Sequence, residues 1–163
     1  MPVERIEYRE RFWVAGHQVR TSNAAEADPA AAQIPGLWQR FFEEHITSRT
    51  RDRLDDAVLA VYHDYESDHS GEYSLTVGCP VRTLEGQPGD LALVRVPAQR
   101  YAVVRTERGP IPGIVIDAWR AIWSMTPEAL GGPRAYEADF EVYDEGSADP
   151  ADAQVEIWIG LEA

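Results

Sequence analysis

The chain has 163 residues, of which 44% are hydrophobic and 26% are charged, and its formal net charge is −13 at pH 7. This composition predicts one folded domain spanning residues 1–163, because a chain of this length buries roughly two-thirds of its surface. The negative charge argues against direct binding of nucleic acid, whose phosphates need a basic face, and it favours cationic ligands. A single cysteine, Cys79, excludes an internal disulfide and is interpreted as a buried thiol because it lies in an apolar run.

The amino-terminal residues contain no hydrophobic signal core, and no apolar run approaches the length of a membrane span. We therefore expect a cytoplasmic protein that makes no membrane contact. Nothing in the composition indicates the oligomeric state.

The residue pattern in the first half of the chain predicts a strand, a helix and two further strands. Residues 6–20 alternate apolar and polar side chains, and residues 21–33 are rich in Ala, Asn, Asp and Pro, as in a loop. A helix is predicted from Pro35, with apolar positions on one face (Ile34, Leu37, Trp38, Phe41, Phe42 and Ile46). Residues 57–62 and 72–81 are rich in strand formers and are joined by a polar turn.

The second half repeats this pattern. Strand-like segments at 91–96 and 100–105 precede a second predicted helix, whose apolar positions are Ile111, Ile114, Val115, Ala118, Trp119, Ile122 and Trp123. Subtracting 77 from these numbers gives 34, 37, 38, 41, 42, 45 and 46, which are the first helix's apolar positions plus His45. Both helices open with Ile-Pro-Gly, and two strand segments follow each. The chain is thus interpreted as two repeats, residues 6–82 and 90–163.

A duplication of this kind predicts the architecture. One helix on one small sheet buries too little apolar surface to be stable alone, so the halves are expected to join. The predicted fold class is α+β, with two βαββ units side by side, one antiparallel sheet and both helices on the same face. We expect a ligand crevice on the other face, where the halves meet.

The last two strands suggest what that crevice binds. Because side chains alternate along a strand, Glu141 and Tyr143 point away from Phe140, and Glu156 and Trp158 point to the same side as each other. We interpret one face of this hairpin as apolar and the other as two carboxylates among aromatic rings, which suits an organic cation. The alternative is a solvated outer face, where glutamate is ordinary.

Several segments resemble the GyrI-like effector-binding domain, the small-molecule module of many bacterial AraC- and MerR-type multidrug regulators and of gyrase-inhibitor-like proteins. The matching segments, in the expected order, are Val96-Pro97-Ala98-Gln99-Arg100-Tyr101-Ala102-Val103, Trp119 with Trp123, Phe140-Glu141-Val142-Tyr143 and Val155-Glu156-Ile157-Trp158-Ile159. The last is similar to the family's carboxy-terminal Glu-Ile-Tyr-Ile-Pro strand, with Trp for Tyr and Gly160 for Pro. The likeness covers nearly the whole chain.

The resemblance implies a pseudo-two-fold α/β domain (a GyrI/SHS2-like fold) whose pocket between the repeats takes bulky aromatic compounds, often cations. By position it makes Glu141 and Glu156 the pocket carboxylates and Tyr101 and Trp158 the pocket aromatics. Tyr143 and Trp119 are further candidate ligand-binding residues, although a tryptophan on a helix stripe is more often core. No helix-turn-helix pattern is present, so we expect an effector module without its own DNA-binding domain.

Three alternatives to ligand binding remain. The His63-Asp64 and Asp68-His69 pairs have metal-ligand types but no recognisable spacing, so neither a metal nor another cofactor is expected. A glutamate in an aromatic pocket has a raised pKa, which would suit a hydrolase with Glu141 or Glu156 as general acid or base. Members of this family can also act on DNA gyrase. We predict non-catalytic binding of amphipathic aromatic cations, for sensing or sequestration.

Overall fold

The computed structural model describes residues 2–163, and its eight strands form one sheet in which every named ladder is antiparallel. The strands are β1 Arg5–Arg9, β2 Phe12–Ser22, β3 Val58–His63, β4 Glu72–Val81, β5 Ala92–Val96, β6 Gln99–Arg105, β7 Arg134–Tyr143 and β8 Glu156–Leu161. The helices are α1 Asn23–Glu26, α2 Ile34–Glu43, α3 Ile46–Arg49, α4 Gly113–Trp123 and α5 Pro127–Leu130, with a 3-10 turn at Glu145–Ser147. No helix within residues 2–163 is both long and apolar enough to span a bilayer.

The order of the strands shows the duplication. The sheet runs β1-β6-β8-β7-β3-β4-β2-β5. If β1 to β4 correspond to β5 to β8, the sheet has the same order when read from either edge, and β3 and β7 meet at its centre. The predicted α+β architecture, with two side-by-side units in one antiparallel sheet, is confirmed.

The first predicted strand is in fact two. The strand is interrupted at Glu10 and Arg11. Before the interruption β1 pairs with β6 (Arg5 opposite Val103), and after it β2 pairs with β5 (Phe12 opposite Val96). Each half therefore receives an edge strand from the other half. Alternation of apolar and polar residues continues across the break, which is why residues 6–20 resemble a single strand.

Both long helices cover the same face of the sheet, as predicted. Helix α2 buries Leu37 and Phe41 in a cluster with Val77 of β4, and α4 packs on Ile157 of β8. Residues directly opposite each other in a ladder share a face, and a chain of such pairs links the two clusters: Val77 with Ala60, Ala60 with Glu141, and Glu141 with Ile157. The predicted stripe of α2 is wrong at Phe42, which is 65% exposed.

Among residues 2–163 no helix residue joins the buried cluster on the opposite face, which combines aliphatic side chains with four aromatic rings. Phe140 stacks on Trp158 with ring centroids 5.4 Å apart, and it meets Tyr101 and Phe12 edge-on at 5.2 and 5.5 Å. The Arg9 guanidinium lies 3.9 Å from the centre of the Phe12 ring. The prediction of a ligand crevice on this face is therefore wrong, because these side chains pack against one another.

Candidate functional site

The centre of the candidate site is Glu141 of β7, on the face that the helices cover. Its side chain is buried, with 2% of the residue exposed. Oε2 accepts hydrogen bonds from the Tyr62 hydroxyl and the Trp119 indole N–H, both at 2.7 Å, and Oε1 accepts one from the Tyr143 hydroxyl at 2.6 Å. None of these donors carries a charge. Burial raises the pKa of Glu141, and the three hydrogen bonds only partly oppose that rise.

The pseudo-two-fold axis passes beside Glu141. Ala60 of β3 lies directly opposite Glu141, and Tyr62 and Tyr143 each follow this pair by two residues on their own antiparallel strands. The two tyrosines therefore approach the carboxylate from opposite sides as symmetry equivalents. Two-fold symmetry would place a second carboxylate at position 60, where the chain has Ala60. The site is consequently built around one negative charge.

Aromatic rings from both helices surround this charge. Trp38 of α2 meets Tyr143 edge-on with ring centroids 4.8 Å apart, and Trp119 of α4 meets Tyr62 at 5.0 Å, so each helix contacts the tyrosine of the other half. Outward from them lie the exposed rings of Phe42 and Trp123. We use the name aromatic groove for these six residues (Trp38, Phe42, Tyr62, Trp119, Trp123 and Tyr143), which form two packed sets of three rings, each with a tyrosine bonded to Glu141.

The tyrosine hydroxyls of the groove stay protonated. Burial, followed by the nearby Glu141 charge, raises the pKa of both Tyr62 and Tyr143 well above the ordinary value of 10.0. Each hydroxyl therefore remains a hydrogen-bond donor to the carboxylate throughout the physiological pH range. When Glu141 is ionised, its carboxylate is held by these neutral donors, and none of them compensates its negative charge.

A buried ion pair lies next to the groove. Asp139 is fully buried, and its carboxylate accepts hydrogen bonds from Arg134 Nη2 at 2.7 Å, from the Gly160 backbone N–H at 2.7 Å and from the Tyr65 hydroxyl. The Arg134 guanidinium lies over the Tyr136 ring at 4.4 Å and over the Trp119 ring at 5.9 Å. Trp119 thus contacts both Glu141 and Arg134.

A family model described as Cass2, integron-associated effector binding protein, matches residues 5–161 of this chain. The chain belongs to the Cass2 family. Because that match covers both repeats, the family description applies to the whole sheet and to both helices, and small-molecule effector binding is the function that it indicates.

Two relatives of this Cass2-family chain are named as transcriptional regulators. The putative transcriptional regulator YobU of Bacillus subtilis is 33% identical over 149 residues, which cover 91% of each chain. The transcriptional regulator BrlR of Pseudomonas aeruginosa is 30% identical over 163 residues, which cover 96% of this chain but 54% of BrlR. The chain therefore spans about half the length of BrlR.

Solved structures show the same fold. The integron cassette protein VCH_CASS2 of Vibrio cholerae superposes with a TM-score of 0.77 at 28% identity, covering 97% of this chain and 95% of that protein. A structure of SAV2435 bound to tetraphenylphosphonium also superposes with a TM-score of 0.77, at 15% identity, covering 98% of this chain and 93% of that one.

In this Cass2-family chain, the six predicted site residues fall into two groups. Glu141, Tyr143 and Trp119 come together in the aromatic groove, but Tyr101, Trp158 and Glu156 lie on the opposite face of the sheet. The reason is the register of β7 and β8, in which Val142 lies opposite Glu156. The expectation that both glutamates share one pocket is therefore wrong.

Unlike Glu141, Glu156 has cationic partners. Its Oε2 lies 3.0 Å from Arg5 Nη1 and 3.3 Å from Arg105 Nη2, and Oε1 accepts a hydrogen bond from the Trp158 indole at 3.2 Å. Partial burial raises the pKa of Glu156, but the bonds from Arg5 and Trp158 outweigh this and leave the pKa below its ordinary value. Its charge is already compensated within the protein, unlike that of Glu141.

Three residues near the site were missed by sequence reasoning. Tyr62 had a signal, since the Val-Tyr pair that ends at Tyr62 recurs at Val142-Tyr143. Trp38 was interpreted as a core residue of the α2 stripe, and its packing on Tyr143 depends on contact between the two halves. Arg134 had no signal, because its position follows from an irregularity in β7.

Two of the histidines, His17 and His63, are buried and make polar contacts. His63 shares a hydrogen bond with the Thr76 hydroxyl at 2.8 Å. Within residues 2–163, one group of three metal-ligand side chains converges, His17, Glu44 and Asp90, with atoms within 4.8 Å of one another. Arg49 Nη2 lies 2.6 Å from Asp90, and Arg40 Nε lies 3.6 Å from Glu44, so both carboxylates of this group already have cationic partners.

Proposed function

We propose that the chain binds aromatic organic cations in the aromatic groove, with Glu141 as the counter-charge, and that it senses or sequesters them. The observation that carries this proposal is a buried carboxylate held by three neutral donors and enclosed by aromatic rings. A carboxylate taken out of water without a cationic partner is costly to the protein. A ligand cation would supply the missing charge.

The hydrogen bonds of Glu141 restrict which cations fit. Its two oxygens already accept three of the roughly four hydrogen bonds that a carboxylate can accept, so the carboxylate offers charge and little further hydrogen bonding. A compact ammonium ion would lose its water and regain about one hydrogen bond from the carboxylate, which does not compensate that loss. A flat or multi-ring ligand with a delocalised charge loses less hydration and gains contacts with the rings of Trp38, Trp119 and Phe42.

The relatives support this ligand class. SAV2435, which has the same fold, was solved bound to tetraphenylphosphonium, a bulky aromatic cation. YobU and BrlR are named as transcriptional regulators, and a ligand-responsive regulator needs a module that senses its effector. We infer that this chain performs the sensing or sequestering step.

The experiment compares two glutamate variants by titration calorimetry with tetraphenylphosphonium. Glu141→Gln keeps the size of the side chain but removes the charge, and we expect the affinity to fall by roughly 1–3 kcal/mol, or about five- to 150-fold. Glu156→Gln is the matched control on the opposite face and should leave the affinity unchanged. Unchanged affinity in Glu141→Gln, or equal losses in both variants, would overturn the proposal.

A second measurement, mass spectrometry of the ligand, separates binding from hydrolysis. The raised pKa of Glu141 would also suit a general acid, so the alternative of a hydrolase uses the same residue. After prolonged incubation with the protein, mass spectrometry should detect any ligand that binds in the aromatic groove in unchanged form. Conversion that disappears in Glu141→Gln would favour the hydrolase instead.

A further inference from the structure

Arg134 has a donor that the protein does not use. Its side chain is 9% exposed, and its Nη2 is paired at 2.7 Å with the fully buried Asp139. Its Nε is also buried but has no acceptor among residues 2–163. Leaving a buried N–H without a partner destabilises a folded protein, so such a group calls for an acceptor from elsewhere.

The unused donor lies beside the aromatic groove. The Arg134 guanidinium is 5.9 Å from the centre of the Trp119 ring, and the N–H of the same indole is 2.7 Å from Glu141 Oε2. One indole therefore contacts both the uncompensated anion and the guanidinium. A multi-ring ligand lying along Trp119 would reach both groups.

An irregular backbone puts Arg134 in this place. Arg134 lies opposite Leu161 and Asp139 lies opposite Ile159, so the chain advances five residues on β7 for two on β8. Within this bulge Tyr136 has φ 52°, an uncommon conformation for a residue other than glycine. In a regular strand, residues five apart point to opposite faces, whereas the bulge brings Arg134 to the face of Asp139.

We propose that Arg134 is a second recognition residue, and that its free Nε–H binds a carbonyl oxygen on a fused-ring ligand whose cationic end faces Glu141. This inference rests on the proposed function of the groove. Asp139 neutralises the guanidinium, so a neutral carbonyl suits Nε better than a carboxylate does. Tyr136, half-buried and stacked over the guanidinium, is the ring that the ligand displaces.

The test uses a matched pair of cations, trimethyl(anthracen-2-ylmethyl)ammonium and its 9,10-anthraquinone counterpart. They share charge and ring area but differ in the carbonyl oxygens. We expect the wild-type protein to bind the anthraquinone about five- to tenfold more tightly, the contribution of one added hydrogen bond. Arg134→Lys keeps the charge opposite Asp139 but lacks Nε, and it should remove this preference.

The outcomes distinguish the two proposals. Equal affinities of the wild-type protein for the two compounds, with both weakened by Glu141→Gln, would overturn the role of Arg134 and leave the cation site standing. Insensitivity of both ligands to Glu141→Gln would overturn the cation site itself. The wild-type comparison decides the role of Arg134 even if Arg134→Lys does not fold.

Discussion

At Glu141 the protein keeps a carboxylate out of water and surrounds it with neutral donors, and the consequence is a pKa above the ordinary value of 4.5. Since a cation binds the ionised form, the affinity for tetraphenylphosphonium should rise with pH until Glu141 is fully ionised and then level off. Below that pKa the affinity should fall by up to about tenfold per pH unit. The phosphonium charge is permanent, so calorimetry between pH 5 and 8 reports on the protein alone.

The same titration affects stability, with the opposite sign. A raised pKa means that the folded state holds the proton more tightly than the unfolded chain does, so this stabilising contribution is complete below pH 4.5 and is lost as the pH rises through the raised value. The melting temperature of Glu141→Gln relative to the wild-type protein should therefore increase over that range. A constant difference, together with pH-independent ligand affinity, would show that Glu141 does not titrate there.

At the residue scale, sequence reasoning proposed Glu141, Tyr143 and Trp119, which the structure brings into contact, but it grouped them with residues of the opposite face. Alternation within a strand tells which residues of that strand share a face. It does not tell which face of one strand joins which face of the next, because this depends on the register between strands. Glu156 was assigned to the wrong side for this reason, and Tyr101 and Trp158 followed it.

At the scale of elements, two glycines give a sharp test of the sheet and of α2. A Cβ on Gly78 of β4 would lie 2.1 Å from the Ala15 carbonyl oxygen of β2, whereas a Cβ on Gly36 of α2 would meet nothing within 4 Å. Gly78→Ala should destabilise the fold by about 2 kcal/mol or more, since the neighbouring backbone must move. Gly36→Ala should stabilise it by roughly 0.5–1 kcal/mol.

Urea denaturation of the two alanine variants measures both effects. The two substitutions are chemically the same, so a difference in sign between them comes from their surroundings. Similar stability in Gly78→Ala and Gly36→Ala would contradict the close approach of β2 and β4.

The elements were more predictable than their connections. The spacing of apolar residues identified α2 and α4, and the shared Ile-Pro-Gly opening revealed the duplication. The break between β1 and β2 and the exchange of edge strands left no local signal, because they depend on pairing with residues far along the chain. Phe42 had the spacing of a core residue, yet it is exposed at the rim of the groove.

At the scale of the whole molecule, the net charge of −13 should accelerate the arrival of cations. The association rate constant for tetraphenylphosphonium should fall several-fold between about 10 mM and 500 mM salt, because the screening length shortens from roughly 30 Å to a few ångströms. The dissociation rate constant should change little with salt, since Glu141 is buried and salt screens a buried charge weakly. Stopped-flow fluorescence measures both rates, and an equal salt dependence for the uncharged 2-(hydroxymethyl)anthraquinone would contradict electrostatic steering.

The exchange of β1 and β5 has a consequence for how the chain matures. During synthesis the first half leaves the ribosome with β1 made but its partner β6 still to come, since Arg5 pairs with Val103. Neither edge of the sheet is complete until the segment from Ala92 to Arg105 has emerged. Long-range pairing of this kind slows folding. The aromatic groove includes Trp119 and Tyr143 of the second half, so it too is assembled late in synthesis, when nearly all of the polypeptide has been made.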